Sequence, residues 1–357
     1  MSKRKSEQVN DLDAPVEHGA GKLPSVSVDS YNLRIRDGKK FIGDNASKSA
    51  YVEKLDFWRK QIDADRIRKS FGNGVTADLS KKEIDALLKG KDELAQAIVL
   101  SSIHDFAVSL ADVINRFLKE KSWKNTERVA VGGGLSESAV GRLAIVEAML
   151  LLKAEGKKID LQPIAHPADE AGLIGAAHLI PEWMLKGHEA MVGVDIGGTN
   201  IRAGIVKWGK RKRGANLAKA EVWKMCLWRH GDESPSRNQA VKRLSDIISD
   251  LLKDAAKAKL IVAPVIGIAC PGQIESDGAI ATGGQNLPGN WESKSFNLAK
   301  EITAAIPKIE GKDSFVLIHN DAVVQGLSQI PYMADVRHWG VLTIGTGLGN
   351  ARFTRGS

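Results

Sequence analysis

Short apolar runs that end in glycine alternate along this chain with longer stretches whose apolar residues recur every three or four positions. That alternation is the mark of strands followed by helices. Helical spacing covers residues 48–69, and Ser80 with Glu83 has the spacing of a capping box ahead of Ile84, Leu87 and Leu88. From 93 to 118, residues such as Leu94, Ile98, Ile103, Phe106, Leu110, Ile114 and Phe117 predict one long, mostly buried helix. A strand at 129–131 runs into three glycines, a helix continues to about 154, a strand spans 159–164, and a helix of small residues covers 171–177. Further on, strands are predicted at 191–195, 201–206, 260–269, 316–319 and 339–344, with helices at 241–256 and 321–330. The first 30 residues, rich in Asp, Ser, Gly and Pro, read as a flexible arm with little core of its own. Strands alternating with helices in this way predict an α/β architecture, and 357 residues are enough for about two lobes.

Composition narrows the class. An apolar share of 43% with 26% charged residues is that of a globular chain, which excludes a collagenous or largely disordered one. Cys226 and Cys270 fit a reducing compartment and leave too few thiols for a Cys-rich metal site. No apolar run approaches the ~18 residues of a membrane helix, and the polar start Met1-Ser-Lys-Arg-Lys-Ser has no apolar core behind it, so a cytoplasmic location without membrane contact is expected. The 51 basic residues exceed the 43 acidic ones by eight, which raises the question of a polyanionic partner. The sharpest basic run, Lys210-Arg211-Lys212-Arg213, lies between strand-like stretches at 201–208 and 220–228 and reads as a solvated turn. No helix-turn-helix, zinc-finger or ribonucleoprotein pattern accompanies it, so a nucleic-acid partner is not expected.

Three glycine-rich turns each follow a strand: Asp195-Ile-Gly-Gly-Thr199, Gly345-Thr-Gly-Leu-Gly349 and Gly132-Gly-Gly134. Glycine lets backbone N–H groups close on an anion, although tight turns need glycine whatever they do. The first turn carries more. Asp195 at its strand end is suited to hold Mg²⁺ through water, while Thr199 and backbone donors take phosphate oxygens. A second strand follows Thr199, which departs from the dinucleotide fingerprint, and a P-loop run is absent. Asp321, where a strand gives way to a helix, fits either a helix N-cap or a base accepting a proton from a hydroxyl. Asn286, in Gln285-Asn-Leu-Pro-Gly-Asn-Trp291, fits either a turn or an amide that orients a sugar hydroxyl.

Together these motifs resemble the ROK (repressor, open reading frame, kinase) family of sugar kinases and regulators, within the actin/hexokinase ATPase superfamily. Asp195-Ile-Gly-Gly-Thr-Asn200 is similar to its first phosphate motif and Thr343-Ile-Gly-Thr-Gly-Leu-Gly349 to its second. Gly267-Ile-Ala-Cys-Pro-Gly-Gln273 with Asn286-Leu-Pro-Gly289 resembles the stretch leading to the sugar loop, and Asn320-Asp321-Ala322 the catalytic Asn-Asp-Ala. The match covers most of 191–350. Family members run on for over a hundred residues past the second phosphate motif, whereas here the missing half stands in front. Val129-Ala-Val-Gly-Gly-Gly-Leu-Ser136 resembles the adenosine motif and Asp169-Glu-Ala-Gly-Leu-Ile-Gly-Ala-Ala177 the closing Gly-Ala-Ala helix.

The resemblance implies a two-lobed, actin-like (ribonuclease H-like) fold in circularly permuted order, with residues 1–172 plus 318–357 as the larger, nucleotide-binding lobe and 173–317 as the smaller. A pairing of the halves between two chains, as a swapped homodimer, stays open. The implied function is ATP-dependent phosphorylation of a sugar hydroxyl, on a hexose or an amino sugar. Asp321 is the implied base; Asp195, Gly197, Gly198, Thr199, Asn200, Gly345, Thr346 and Gly347 hold phosphates and Mg²⁺; Gly132, Gly133 and Gly134 seat adenosine; Asn286 and Asn320 bind sugar. The family's Glu-x-Gly-His stretch and cysteine loop are absent, so no structural zinc is expected, and Glu17 and His18 fit either substitute sugar ligands in the permuted order or part of the N-terminal arm. A sugar-sensing regulator without catalysis and an ATPase without a sugar acceptor are the other readings.

Overall fold

The structure, a computed structural model, describes residues 17–211, 214–345 and 347–356. The first half of the chain begins with strand β1 (Val26–Tyr31) and a short hairpin of β2 (Arg36–Asp37) and β3 (Lys40–Phe41). Four helices follow: α1 (Lys48–Arg59), α2 (Ala64–Phe71), α3 (Lys81–Lys89) and α4 (Glu93–Lys119). Then come β4 (Arg128–Gly132), α5 (Ala139–Ala154), β5 (Asp160–Pro163), α6 (Ala168–Ala177) and the single turn α7 (Glu182–Leu185). The second half opens with β6 (Ala190–Ile196), β7 (Ile201–Arg211) and β8 (Gly214–Trp228), continuing through α8 (His230–Glu233), α9 (Arg237–Lys257) and β9 (Val262–Cys270). Two small hairpins, β10 (Gln273–Ile274) with β11 (Ile280–Thr282) and β12 (Lys308–Ile309) with β13 (Lys312–Asp313), flank α10 (Leu298–Ala305). The chain closes with β14 (Phe315–Asn320), α11 (Asp321–Leu327), β15 (His338–Ile344) and β16 (Leu348–Arg355).

Ten of these strands form two five-stranded sheets on one plan. In the order β14-β9-β6-β7-β8, strands β6, β7 and β8 make an antiparallel meander while β9 and β14 run parallel to β6. In the order β1-β16-β15-β4-β5, strands β15, β16 and β1 make the meander while β4 and β5 run parallel to β15. The third strand of this second meander therefore comes from the opposite end of the sequence, with Val26 facing Arg355. Both parts of this sheet come from one chain.

Strand β1 corrects the reading of residues 1–30 as an arm: Val26 is 3% exposed and belongs to the core. Residues 1–16 lie outside the described residues. Strand β16 was not predicted at all, because Asn350 and Arg352 occupy buried positions in it. Their partners are distant in sequence. The Asn350 side chain exchanges two hydrogen bonds with the Leu33 backbone, at 2.9 and 3.1 Å, and Arg352 pairs with Asp29 and donates to the Lys124 carbonyl. Buried polar groups survive only with such partners. The helix predicted over 48–69 is two helices, since Asp63 accepts the Arg66 N–H at 3.0 Å and starts α2 afresh. Strands β7 and β8 reach further into the basic run than expected, to Arg211 and Gly214; residues 212 and 213 lie outside the described residues.

Three apolar cores hold the frame. Helices α4 and α5 cover one sheet, burying Phe106, Leu110 and Ile114 with Val129, Val131 and Leu342. Helix α9 covers the other, with Leu244 and Ile248 against Val192 and Ile266. Helix α4 is also long and apolar enough to cross a membrane by length and composition, and 56% of that stretch is buried inside the protein. The third core lies between the sheets, where α6 and α11 pack together and Leu173 and Ile174 join Val323, Val324, Val341 and Phe353.

The α6–α11 crossing depends on a missing side chain. A Cβ at Gly175 would stand 1.7 Å from the Val324 carbonyl oxygen, a backbone atom that cannot swing aside. Gly175→Ala should therefore cost about 2–3 kcal/mol or more, whereas Gly74→Ala, with nothing within 4 Å, should change stability by less than about 1 kcal/mol. Denaturant melts of both variants check this; equal midpoints would refute a tight crossing.

Candidate active site

The C-terminal ends of the parallel strands β6, β9 and β14 bring together Asp195, Cys270 and Asn320, in a register that sets Asp195 beside Ala269 and Asn320 beside Cys270. Ligands of open α/β sheets bind at such ends. Asp321 follows as the first residue of α11. Its Oδ1 accepts the Ala322 N–H at 2.9 Å, so the carboxylate is held at the helix N-terminus while keeping partial contact with solvent. The capping role belongs mainly to Asn320, whose Oδ1 accepts the N–H groups of Ala322 and Val323 at 3.0 and 3.3 Å. The Asn320 amide also donates to the Gly272 carbonyl at 2.9 Å and is 2% exposed, so this side chain holds the Pro271–Gly272 loop against α11. Asp321 is thereby freed from purely structural duty.

Electrostatics sets Asp321 apart. Burial pushes its carboxyl up to about 6, and the nearby Asp195 carboxylate pushes in the same direction, against the hydrogen bonds from the Ala322 backbone and Asn320. Asp195 is 3% exposed and also raised, first by burial, with Asp169 adding to the shift and Arg202 opposing it. Arg202, on β7, shares one guanidinium between Asp195 at 3.5 Å and Asp169 at 2.6 Å. Helix α6 passes so close that a Cβ at Gly172 would lie 2.5 Å from the Asp195 carboxyl carbon. The motif reading did not single out Arg202, although it stands only two residues beyond Asn200.

The turn at 197–200 is built as a cradle. Gly197 N–H donates to the Asn200 carbonyl at 2.8 Å, and His230 Nε2–H donates to the Gly197 carbonyl at 2.9 Å, which fixes the loop from outside. Gly198 and Thr199 are exposed, and among the described residues no acceptor takes their N–H groups. Asn286, also exposed, lies against Gly198. In the other sheet the Gly132–Gly134 run ends β4 beside β15, where Gly133 takes φ +90° and meets the Ile344 carbonyl. Gly345 and Gly347 close the β15–β16 turn through a Gly345 N–H to Gly347 carbonyl bond of 2.9 Å; Thr346 lies outside the described residues. The N-terminus of α5, next to the glycine run, is already filled: the two Asp85 carboxylate oxygens accept the N–H groups of Ala139 and Val140 at 2.9 and 3.1 Å. Lys81, also on α3, donates to the Gly134 carbonyl at 2.9 Å.

Glu17 and His18 lie on a segment laid along the edge of β14. Gly19 N–H donates to the Ile318 carbonyl, and His18 Nδ1 accepts the Ile318 N–H at 3.1 Å. His319 clamps the same segment, its Nε2–H donating to the Ala20 carbonyl at 3.1 Å while Nδ1 accepts the Asn320 N–H at 2.7 Å; burial pushes its pKa down to about 4. A cavity of about 490 Å³ instead opens between β1 and the β10–β11 hairpin, with Asn32, Arg34, Gln273 and Thr282 in its wall. It backs onto Gly272, the residue Asn320 holds, because Gly272 packs against Thr282 and Gly283, and Gly283 against Asn32. Sequence motifs gave no signal for these cavity residues. No group of three or more His, Cys, Asp or Glu side chains among the described residues is placed to hold a metal ion.

No protein-family model matches the chain, and no curated protein matches it. Solved structures do. A protein assigned as a sugar kinase from Cytophaga hutchinsonii is 20% identical over 47% of this chain and 48% of its own, with a TM-score of 0.33. The ROK hexokinase of Thermus thermophilus is 21% identical over 45% of each chain, with a TM-score of 0.29. The PPX-GPPA enzyme of Aquifex aeolicus is 15% identical over 64% of this chain and 83% of its own, with a TM-score of 0.29. The chain spans about half the length of the first two.

The raised Asp321 carboxyl has a consequence for stability. An unfolded Asp ionises near 3.8, whereas the folded group ionises near 6, so folded-state stability is complete below the lower value and falls as pH rises through the upper one. Asp321→Asn should remove that cost, on the order of 2 kcal/mol above about pH 6, and show no gain near pH 3. Denaturant titrations of both proteins at about pH 4 and about pH 8 test the sign; a variant less stable at the higher pH would contradict it.

Proposed function

We propose that this chain is an ATP-dependent kinase of a sugar hydroxyl, built on the actin-like plan with its halves in permuted order. The observation that carries the reading is the Asp321 carboxylate, raised toward neutrality and held in place by Asn320, beside Asp195 and a glycine turn with open backbone donors. A base with a pKa near 6 is ionised at neutral pH and can take the proton of an attacking hydroxyl. The permuted order rests on the shared strand plan: relabelling β15, β16 and β1 as first, second and third makes the two sheets equivalent. In this reading 1–172 plus 318–357 form the larger lobe and 173–317 the smaller.

Asp321 accepts the hydroxyl proton as the oxygen attacks the terminal phosphorus and the bond to ADP breaks. N–H groups of Gly198 and Thr199, in the turn with Gly197 and Asn200, take up charge on the phosphoryl oxygens, and the second glycine turn, Gly345, Thr346 and Gly347, is assigned the same role from its motif. Gly132 to Gly134 seat the adenosine, and because Asp85 already fills the α5 terminus, this subsite suits a neutral ring better than a phosphate. Asn286, against Gly198, orients the sugar. Asp195 and Asp169 share one Arg202 while Asp321 adds a further carboxylate beside them, and this excess of negative charge fits a divalent cation bound through water and phosphate oxygens rather than by a three-ligand cage. Mg²⁺ bound there would neutralise charge on the transferring group. Arg202 holds the Asp195 carboxylate in position.

The test is ADP release with Mg-ATP against hexoses, amino sugars and polyols, with an acceptor-free control. Wild type should respond to one acceptor class, with kcat/KM rising to a plateau above about pH 6, and Asp321→Asn should lose about 10²–10⁴-fold. Acceptor-independent ADP release would indicate an ATPase. A flat panel with ATP still bound would assign the fold to sugar sensing.

A further inference from the structure

The cavity between β1 and the β10–β11 hairpin holds a charge that the proposed reaction does not use. Arg34, an exposed residue, lines it, and among the described residues its guanidinium has no ion pair and no hydrogen bond; it lies over the Phe41 ring, 5.8 Å from the ring centre. Arg36 lies over the same ring at 5.0 Å, so the two guanidinium groups share one aromatic partner. The cavity's carboxylate, Asp29, is neutralised by Arg352 and accepts the Thr354 hydroxyl at 2.8 Å. What remains in the wall is one free cation with neutral groups: the Asn32 and Gln273 amides and the Thr282 hydroxyl.

We propose that this cavity takes an acidic sugar, with the Arg34 fork on a carboxylate or phosphate group and the hydroxyls against Asn32, Gln273 and Thr282. The guanidinium matches the two oxygens of such an anion in a planar pair of hydrogen bonds, which a neutral hexose cannot offer. Thr282 in the wall packs against Gly272, whose carbonyl accepts from the Asn320 amide, which links the cavity to the residue before Asp321; the inference rests on the kinase reading for its chemistry but not for its binding.

Calorimetric binding to the whole protein separates the two. The probes are hexuronates, hexose 1-phosphates and their uncharged parent hexoses, titrated into wild type, Arg34→Met and Arg34→Lys, with ADP release measured in parallel. At least one acid should bind about tenfold or more tighter than its parent, and Arg34→Met should remove about ten- to hundredfold of that affinity, with Arg34→Lys restoring part of it. The carboxylate and phosphate arms show which anion is preferred. Acid binding that needs Arg34 without ADP release would uphold the cavity's assignment and overturn the kinase reading. Phosphorylation of a neutral hexose with no acid advantage would do the reverse. Acid binding unchanged in Arg34→Met, or no sugar bound at all, would overturn the assignment.

Discussion

Everything at the candidate site depends on how closely α6 can approach its neighbours. One face of this helix is glycine where it meets backbone and carboxylate: Gly175 against the Val324 carbonyl of α11, and Gly172 against the side chain of Asp195. A methyl group at Gly175 would push the helix away by more than an ångström, because the obstructing atoms there are main chain, and one at Gly172 would collide with the Asp195 carboxyl group. The same helix connects β5 of one sheet to β6 of the other, and α11 makes the return connection from β14 to β15. Two crossing helices are therefore both the joint between the sheets and the wall of the site. Asp321 opens one of them, and Asp195 ends the strand against the other.

That packing explains why the carboxylates are unusual. In water two acids at these positions would ionise with little cost, but α6 covers Asp195 so well that its charge loses hydration, and Asp321 sits close enough to feel it. The fold supplies only a partial remedy. Arg202 divides its guanidinium between Asp195 and Asp169, and the α11 N-terminus offers Asp321 one backbone donor, the Ala322 N–H, which Asn320 also engages. The site is left with unneutralised negative charge where a catalytic base and a cation are proposed to work. A better-compensated cluster would be more stable and a weaker base.

Legibility in the sequence followed periodicity and motif, and failed where pairing is distant. Buried strands such as β6 and β9 are continuous apolar runs, and the capping box at Ser80 and Glu83 is present as read, with Ser80 N–H donating to Glu83 at 2.7 Å. Strand β16 broke no local rule that could have announced it: Asn350 and Arg352 look like surface residues until Leu33 and Asp29, more than three hundred positions away, are set beside them. Strand β1 was missed for the same reason, as its partner is at the other end of the chain. The site divides in a similar way. Asp195, the glycine turns and Asp321 lie in short motifs, but Arg202's double pairing, Asp85 on the α5 terminus and the cavity around Arg34 are products of tertiary packing.

The two glycine-rich regions also show how one fold can treat anion and neutral group differently with similar turns. At 197–200 the loop is braced from behind by His230, through the Gly197 carbonyl, and the exposed face keeps its Gly198 and Thr199 donors open. At 132–134 the adjacent helix terminus, which would otherwise attract a phosphate, is satisfied by the Asp85 carboxylate, and Lys81 takes the Gly134 carbonyl. A helix N-terminus filled with an internal anion repels a second one. In the proposed reading, charge on a bound nucleotide is thereby directed away from α5 and toward the turn that retains free N–H groups, and a ligand with a polyanionic end and an uncharged end has one orientation that satisfies both.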